Sequence, residues 1–140
     1  MKILVLQGPN LNLIGVKSSQ ERGRVTLDKI NKMLRREVRN SETELKIFQT
    51  HKIYMAISFL QRNRNTASGI LIAPMAWAKY EYSLLETLDL IQLPVVQVLL
   101  DNVLDEHQSI LSPVSVGTVH NNDPLAAFKT GLKTIIKHLS

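Results

Sequence analysis

The sequence predicts an α/β fold, a doubly wound five-stranded parallel sheet forming a single domain over residues 1–140, and three observations carry that expectation. Short continuous apolar runs recur at residues 3–6, 44–48, 69–72, 95–100 and 114–119, as expected of strands covered on both faces. Amphipathic segments with helical spacing lie between them, the alternation that builds βαβ units. The chain also has the material for one core and not for two: it has 140 residues, 44% hydrophobic and 21% charged.

Each element has its own local reason. The run at 3–6 is a strand because Gln7, Asn10 and Asn12 interrupt it before it could become a signal h-region or a membrane span. Thr26 is placed to cap a helix whose Ile30, Met33, Leu34 and Val38 share one face, and Asn40 and Ser41 mark its end. A strand at 44–48 leads to a helix at 53–62, and the strand at 69–72 leads to a helix at 81–91 that Pro94 stops. After the strands at 95–100 and 114–119, Asp123 as N-cap and Pro124 in the first turn open a last helix, which should bury Leu125, Phe128, Leu132 and Ile136. This order is that of a flavodoxin-like fold, in which ligands bind beyond the carboxyl ends of the strands. Segments 7–22, 73–80 and 100–109 would then surround one crevice.

Composition excludes several functions. With no cysteine there is no disulfide framework, thiolate metal ligation or cysteine nucleophile, and a reducing, cytoplasmic location is expected. The net charge of +5 invites a nucleic-acid reading, but the basic stretches at 29–39 and 129–137 alternate with apolar residues at helical spacing, the pattern of a solvated face. No aromatic stacking platform accompanies them. His51, His107, His120 and His138 are scattered without metal-ligand spacing, so no metal is expected. No dinucleotide fingerprint, phosphate-cradling loop or Ser-His-Asp set occurs, so no cofactor is expected either, and neither a nucleic-acid nor a membrane partner.

The segment Gly8-Pro9-Asn10-Leu11-Asn12-Leu13-Ile14-Gly15 directly follows the first strand. Gly8 and Pro9 turn the chain out of the strand, and the two asparagine amides are able either to brace the loop or to hold a ligand hydroxyl. This loop resembles the signature of the type II 3-dehydroquinate dehydratases. Phe48-Gln49-Thr50, Pro74 with Ala76, Pro94-Val95-Val96, Leu100 with Asn102, and Ser112-Pro113-Val114 follow in that family's order and spacing. The similarity spans residues 1–117. The resemblance implies an anti elimination of water from 3-dehydroquinate: a lid tyrosinate activated by an arginine takes a proton, an asparagine-held water steadies the enolate, and a histidine protonates the leaving hydroxyl. It also implies trimers assembled into a dodecamer, with Glu86 in the acidic position that reaches a neighbouring site.

Against that pattern the chain departs where the chemistry lies. Lys17 stands where the activating arginine is expected and Arg22 where the tyrosine is expected; an arginine releases no proton at working pH. The family's Asn-Pro-Gly-Ala-Tyr-Thr-His reads Ala73-Pro74-Met75-Ala76-Trp77-Ala78-Lys79 here, so the water-holding asparagine is Ala73 and the proton-donating histidine is Lys79. A Glu-x-His pair maps onto Gln97 and Leu99, and a carboxylate-receiving serine onto Asp101, whose charge would repel a carboxylate. The substrate-binding arginine before Ser109 has no counterpart, Glu106 lying nearest.

Two readings fit these departures. In one, a catalytically inactive homologue, a pseudoenzyme, keeps the fold and serves as a binding or assembly partner. In the other, the site is rebuilt for a different small molecule. Trp77, Lys79, Tyr80 and Tyr82 gather stacking surface and an amine in one short loop, beside Asp101 and Asn102, which is the make-up of a new pocket and equally of an oligomer interface. The rebuilt site would use Lys79, Asn12 and Tyr80 catalytically. Asn10, Lys17, Arg22, Trp77, Tyr82, Asp101 and Asn102 would contact the ligand. Lys79 would act as base or imine-forming nucleophile if desolvated, and otherwise would be a solvated lysine or pair with Asp101 or Glu81. Residual dehydration with Tyr80 or Tyr82 in place of the lid tyrosine is a third possibility.

Overall fold

The computed structural model describes residues 1–15, 25–100 and 106–140. Five strands, β1 (Lys2–Gln7), β2 (Glu44–Gln49), β3 (Gly69–Ala73), β4 (Val95–Leu99) and β5 (Gly117–His120), form one sheet in the order β2-β1-β3-β4-β5. Every pairing is parallel, with Gln7 opposite Gln49 on one side and Ala73 on the other. The described helices are α1 (Leu27–Glu37), α2 (Ile53–Asn63), the single turn α3 (Trp77–Tyr80), α4 (Tyr82–Ile91) and α5 (Pro124–Leu139). The topology is the expected doubly wound one, and it places the loops after β1, β3 and β4 at one end of the sheet.

The alternation of side chains along each strand divides the core into two layers. Ile3, Val5, Leu71, Val96 and Val98 face α1 and α5, while Leu4, Leu6, Ile70, Ile72 and Val95 face α2 and α4. The helix caps form as expected: Thr26 Oγ1 accepts from Lys29 N at 3.2 Å and Asp123 Oδ1 from Ala126 N at 3.5 Å. α5 lies close on the sheet because Gly131 has no side chain; a Cβ there would stand 2.8 Å from both Leu71 Cδ1 and Val98 Cγ2. The buried face of α5 is accordingly Ala127, Phe128, Gly131, Leu132 and Ile135, with Leu125 and Ile136 only partly covered.

One boundary differs from the expectation by three residues, and one element was not expected. β5 starts at Gly117 and not at 114, because Pro113 sets a 3-10 turn over Ser112–Val114: it lacks the N–H a ladder needs, and its fixed φ suits a turn. The turn α3 was not anticipated, since four residues carry no readable period.

Candidate functional site

The loop after β1 is bolted to the loop after β3. Gly8 N donates to Ala73 O at 2.9 Å, and a Cβ at Gly8 would stand 2.5 Å from Pro74 O. Only glycine permits that approach. Gln49 Nε2 donates to Gly8 O at 3.1 Å from the neighbouring strand. Asn10 then takes a left-handed conformation at φ 68°, which asparagine tolerates, and its N–H donates to His51 Nδ1 at 3.1 Å. Leu11 turns into the core, so Asn12, the next residue of the 3-10 turn Leu11–Leu13, faces outward and is exposed.

After β3, Met75 sits at φ 53°. A methionine pays about 1–2 kcal/mol for that backbone, a cost glycine would avoid, so the surrounding contacts must hold the turn in place. Trp77 N, Ala78 N and Lys79 N donate back to Pro74, Met75 and Ala76 carbonyls at 3.1, 3.2 and 3.0 Å, closing α3. One turn of helix can present only one face to the protein. Trp77 and Ala78 take it, and Lys79 and Tyr80 are left exposed.

Between these loops and the end of β4 lies a crevice of about 210 Å³. Among the described residues Pro9 and Asn10 line it from the first loop, Met75, Ala76 and Lys79 from the second, and Val98, Leu99 and Leu100 from β4. The described walls are mostly apolar, and Lys79 is the one charged residue among the described lining. Leu99 packs on Ala78, sealing α3 against the strand end.

The predicted site residues therefore separate. Asn10 and Lys79 come together at the crevice. Trp77 does not line it: at 2% exposure it belongs to the core with Leu84, Leu88 and Leu111, because it begins the inward face of α3. Tyr80 and Tyr82, 58% and 65% exposed, point away from the core; α4 turns Leu84 and Leu88 inward, which leaves Tyr82 on the outer side. None of the three aromatics is among the described lining residues of the crevice. Lys79 is exposed and not desolvated, and among the described residues it has no ion pair; the Glu81 carboxylate instead accepts from Ser83 Oγ at 2.8 Å. Lys17, Arg22, Asp101 and Asn102 lie outside the described residues.

Sequence reasoning missed the polar structure behind the crevice. Gln97, fully buried in β4, accepts from Ser109 Oγ at 2.7 Å and donates through Nε2 to Ser112 Oγ and Thr118 Oγ1, both at 2.9 Å. Ser112 Oγ in turn donates to the Glu106 carbonyl, and Ile110 N donates to Ala78 O at 2.9 Å. This network ties β4, β5 and the 109–112 segment to α3. The available signal was a glutamine inside an otherwise apolar strand, which demands buried partners. Gln7, also fully buried, donates to Asn31 Oδ1 at 2.8 Å while its own Oε1 has no partner among the described residues. No group of three or more His, Asp or Glu side chains able to hold a metal occurs among the described residues. Nor is any described helix long and apolar enough to cross a membrane.

A doubly wound parallel sheet with a crevice at its carboxyl end, beside a Gly-Pro-Asn-Leu-Asn loop, defines an α/β domain of the flavodoxin-like class. The chain belongs to the class II dehydroquinase family, whose sequence model, described as "Dehydroquinase class II", matches residues 1–136. It is 34% identical over 123 residues to the 3-dehydroquinate dehydratase of Dictyoglomus turgidum, covering 85% of each chain. To that of Roseiflexus castenholzii it is 36% identical, covering 85% of this chain and 78% of the relative. Among solved structures, type II dehydroquinase from Butyrivibrio crossotus superposes with a TM-score of 0.83 at 26% identity, covering 99% and 97%. A 3-dehydroquinate dehydratase-like protein from Bifidobacterium longum shares the fold with a TM-score of 0.73 at 22% identity, covering 100% and 98%.

Proposed function

We propose that this chain is a rebuilt member of its family: it binds a small molecule in the crevice between the loops after β1 and β3 and does not carry out ordinary 3-dehydroquinate dehydration. One observation supports this above the others. Removing water across a carbon–carbon bond needs a group that takes a proton and one that returns it, held at two points of the substrate. The crevice offers a single titratable side chain, Lys79, among its described lining. The positions that the family resemblance gives to the enolate-steadying and orienting side chains hold the buried methyl of Ala73 and the isobutyl of Leu99. Lys79 is exposed, so it enters this reading as an ammonium that holds the ligand; a role as base or imine-forming nucleophile would need the ligand itself to desolvate the amine. The roles given to Asn12, Tyr80, Lys17, Arg22, Asp101 and Asn102 rest on sequence alone. Assembly into trimers and a dodecamer, with the exposed Glu86 of α4 offered to a neighbouring subunit, belongs to the same reading.

The relatives' name supports a second reading, residual dehydratase activity, with exposed Tyr80 or Tyr82 as base. Following the ultraviolet absorbance of the conjugated product separates the two. The purified chain is expected to show no turnover above solution, because losing base, enolate stabiliser and acid together removes nearly all transition-state stabilisation. Turnover of roughly 1–1,000 per second would establish the second reading instead.

A further inference from the structure

Resting on the reading of the crevice as a ligand site, its lining narrows the ligand's chemical class. We propose that it takes a small monocarboxylate whose body is apolar, with the carboxylate at Lys79 and Asn10 and the body against Met75, Val98 and Leu99. Size comes first: about 210 Å³ is below the roughly 300–1,000 Å³ that drug-sized ligands fill, so the ligand is small. Polarity comes next. A polyhydroxylated ring needs a hydrogen-bond partner for each hydroxyl it buries, and an unmet one costs more than the burial returns. The β4 wall offers none, since Val98, Leu99 and Leu100 present hydrocarbon, and Met75 and Ala76 add more from the other loop. The one polar side chain of β4 is already committed: Gln97 is not among the lining residues and is satisfied by Ser109, Ser112 and Thr118.

Charge fixes the remaining end. Lys79 is the charged residue of the described lining, no described acidic side chain neutralises it, and Asn10 across the mouth supplies an amide. Asn10's own N–H is held by His51 Nδ1, which fixes the loop and leaves the side chain for a ligand. An ammonium and an amide donor at one end of a hydrocarbon-walled slot fit one carboxylate followed by an apolar group.

Two-dimensional NMR titration of the full ¹⁵N-labelled chain tests this with three probes: benzoate, the neutral isostere benzamide, and quinate, a polyhydroxylated cyclohexane carboxylate. Benzoate should give saturable shifts at the amides of Ala76, Lys79, Leu99 and Leu100, with a Kd in the millimolar range expected of so small a ligand. It should bind about fivefold or more tightly than benzamide and quinate. Lys79→Gln should weaken benzoate to the level of benzamide, and Lys79→Arg should restore part of the difference. Quinate binding more tightly than benzoate at the same amides would overturn the apolar class while leaving the crevice a ligand site. If no probe perturbs those amides saturably, the ligand-site reading falls as well. Equal binding of benzoate and benzamide, or of the wild type and Lys79→Gln, would refute the assignment of the carboxylate to Lys79.

Discussion

β4 ends between two regions that handle polarity in opposite ways. On one side Gln97 is buried and saturated, with its amide shared among three hydroxyls. On the other, the crevice has hydrocarbon walls, a lysine left exposed at its mouth and a methionine held in a left-handed backbone. The first region spends its hydrogen bonds on holding the chain together; the second leaves its polar groups unspent. Buried networks rigidify when every member is satisfied. Strain and unpartnered polar groups persist only where neighbouring structure fixes them. The difference teaches that the carboxyl end of this sheet sets a saturated polar network beside a slot whose one described charged group is left exposed.

The largest expected effect lies in the network. Gln97→Leu matches the volume but takes the acceptor from the buried Ser109 hydroxyl and the donor from Ser112 and Thr118, and should cost about 2–4 kcal/mol, read as a fall of roughly 5–15 °C in thermal midpoint. A loss under about 0.5 kcal/mol would show that the network relaxes to water and that the two regions are not different in kind. Next comes the bolt between the loops. Gly8→Ala places a Cβ against the Pro74 carbonyl, backbone that cannot rotate aside, and should cost about 1–3 kcal/mol. It should also speed amide exchange at Gly8, whose N–H is held by Ala73 O. Unchanged exchange would mean that the loops are held by something other than this contact.

The fold was legible to within a few residues because its signals are local and repeated. Continuous apolar strands, the caps at Thr26 and Asp123, and Pro94 each act through their immediate neighbours. Pro113 is the instructive exception: it precedes the strand read at 114–119 and sets a turn over Ser112–Val114, so the strand begins only at Gly117. The site was less legible. The sequence placed the right loops at one end of the sheet but could not say which way Trp77, Tyr80 and Tyr82 point. A single helical turn sets that for Trp77 and Tyr80, where no period can be read from four residues, and the start of α4 sets it for Tyr82. Leu99 and Val98 as crevice walls were equally hidden, because a strand end changes from core to lining without any change in residue type.

The smallest expected effect on stability sharpens the comparison most. Lys79 is exposed, with its backbone N–H already bonded to Ala76 O at 3.0 Å, so Lys79→Ala removes an ammonium and a solvated stem and nothing that packs. Such surface changes fall within about 0.5 kcal/mol, and the midpoint should move by no more than about 2 °C. Benzoate binding should nevertheless weaken, because the slot has no second described cation to replace it. Tyr82→Ala supplies the matching control for the assembly alternative: this residue is 65% exposed on the outer side of α4, so the monomer should tolerate its loss. Sedimentation of the two variants beside the wild type then decides between the readings. If Tyr82→Ala breaks the oligomer while Lys79→Ala changes neither stability nor benzoate shifts, the loop after β3 is an interface, and the small-molecule reading gives way to a catalytically silent assembly partner.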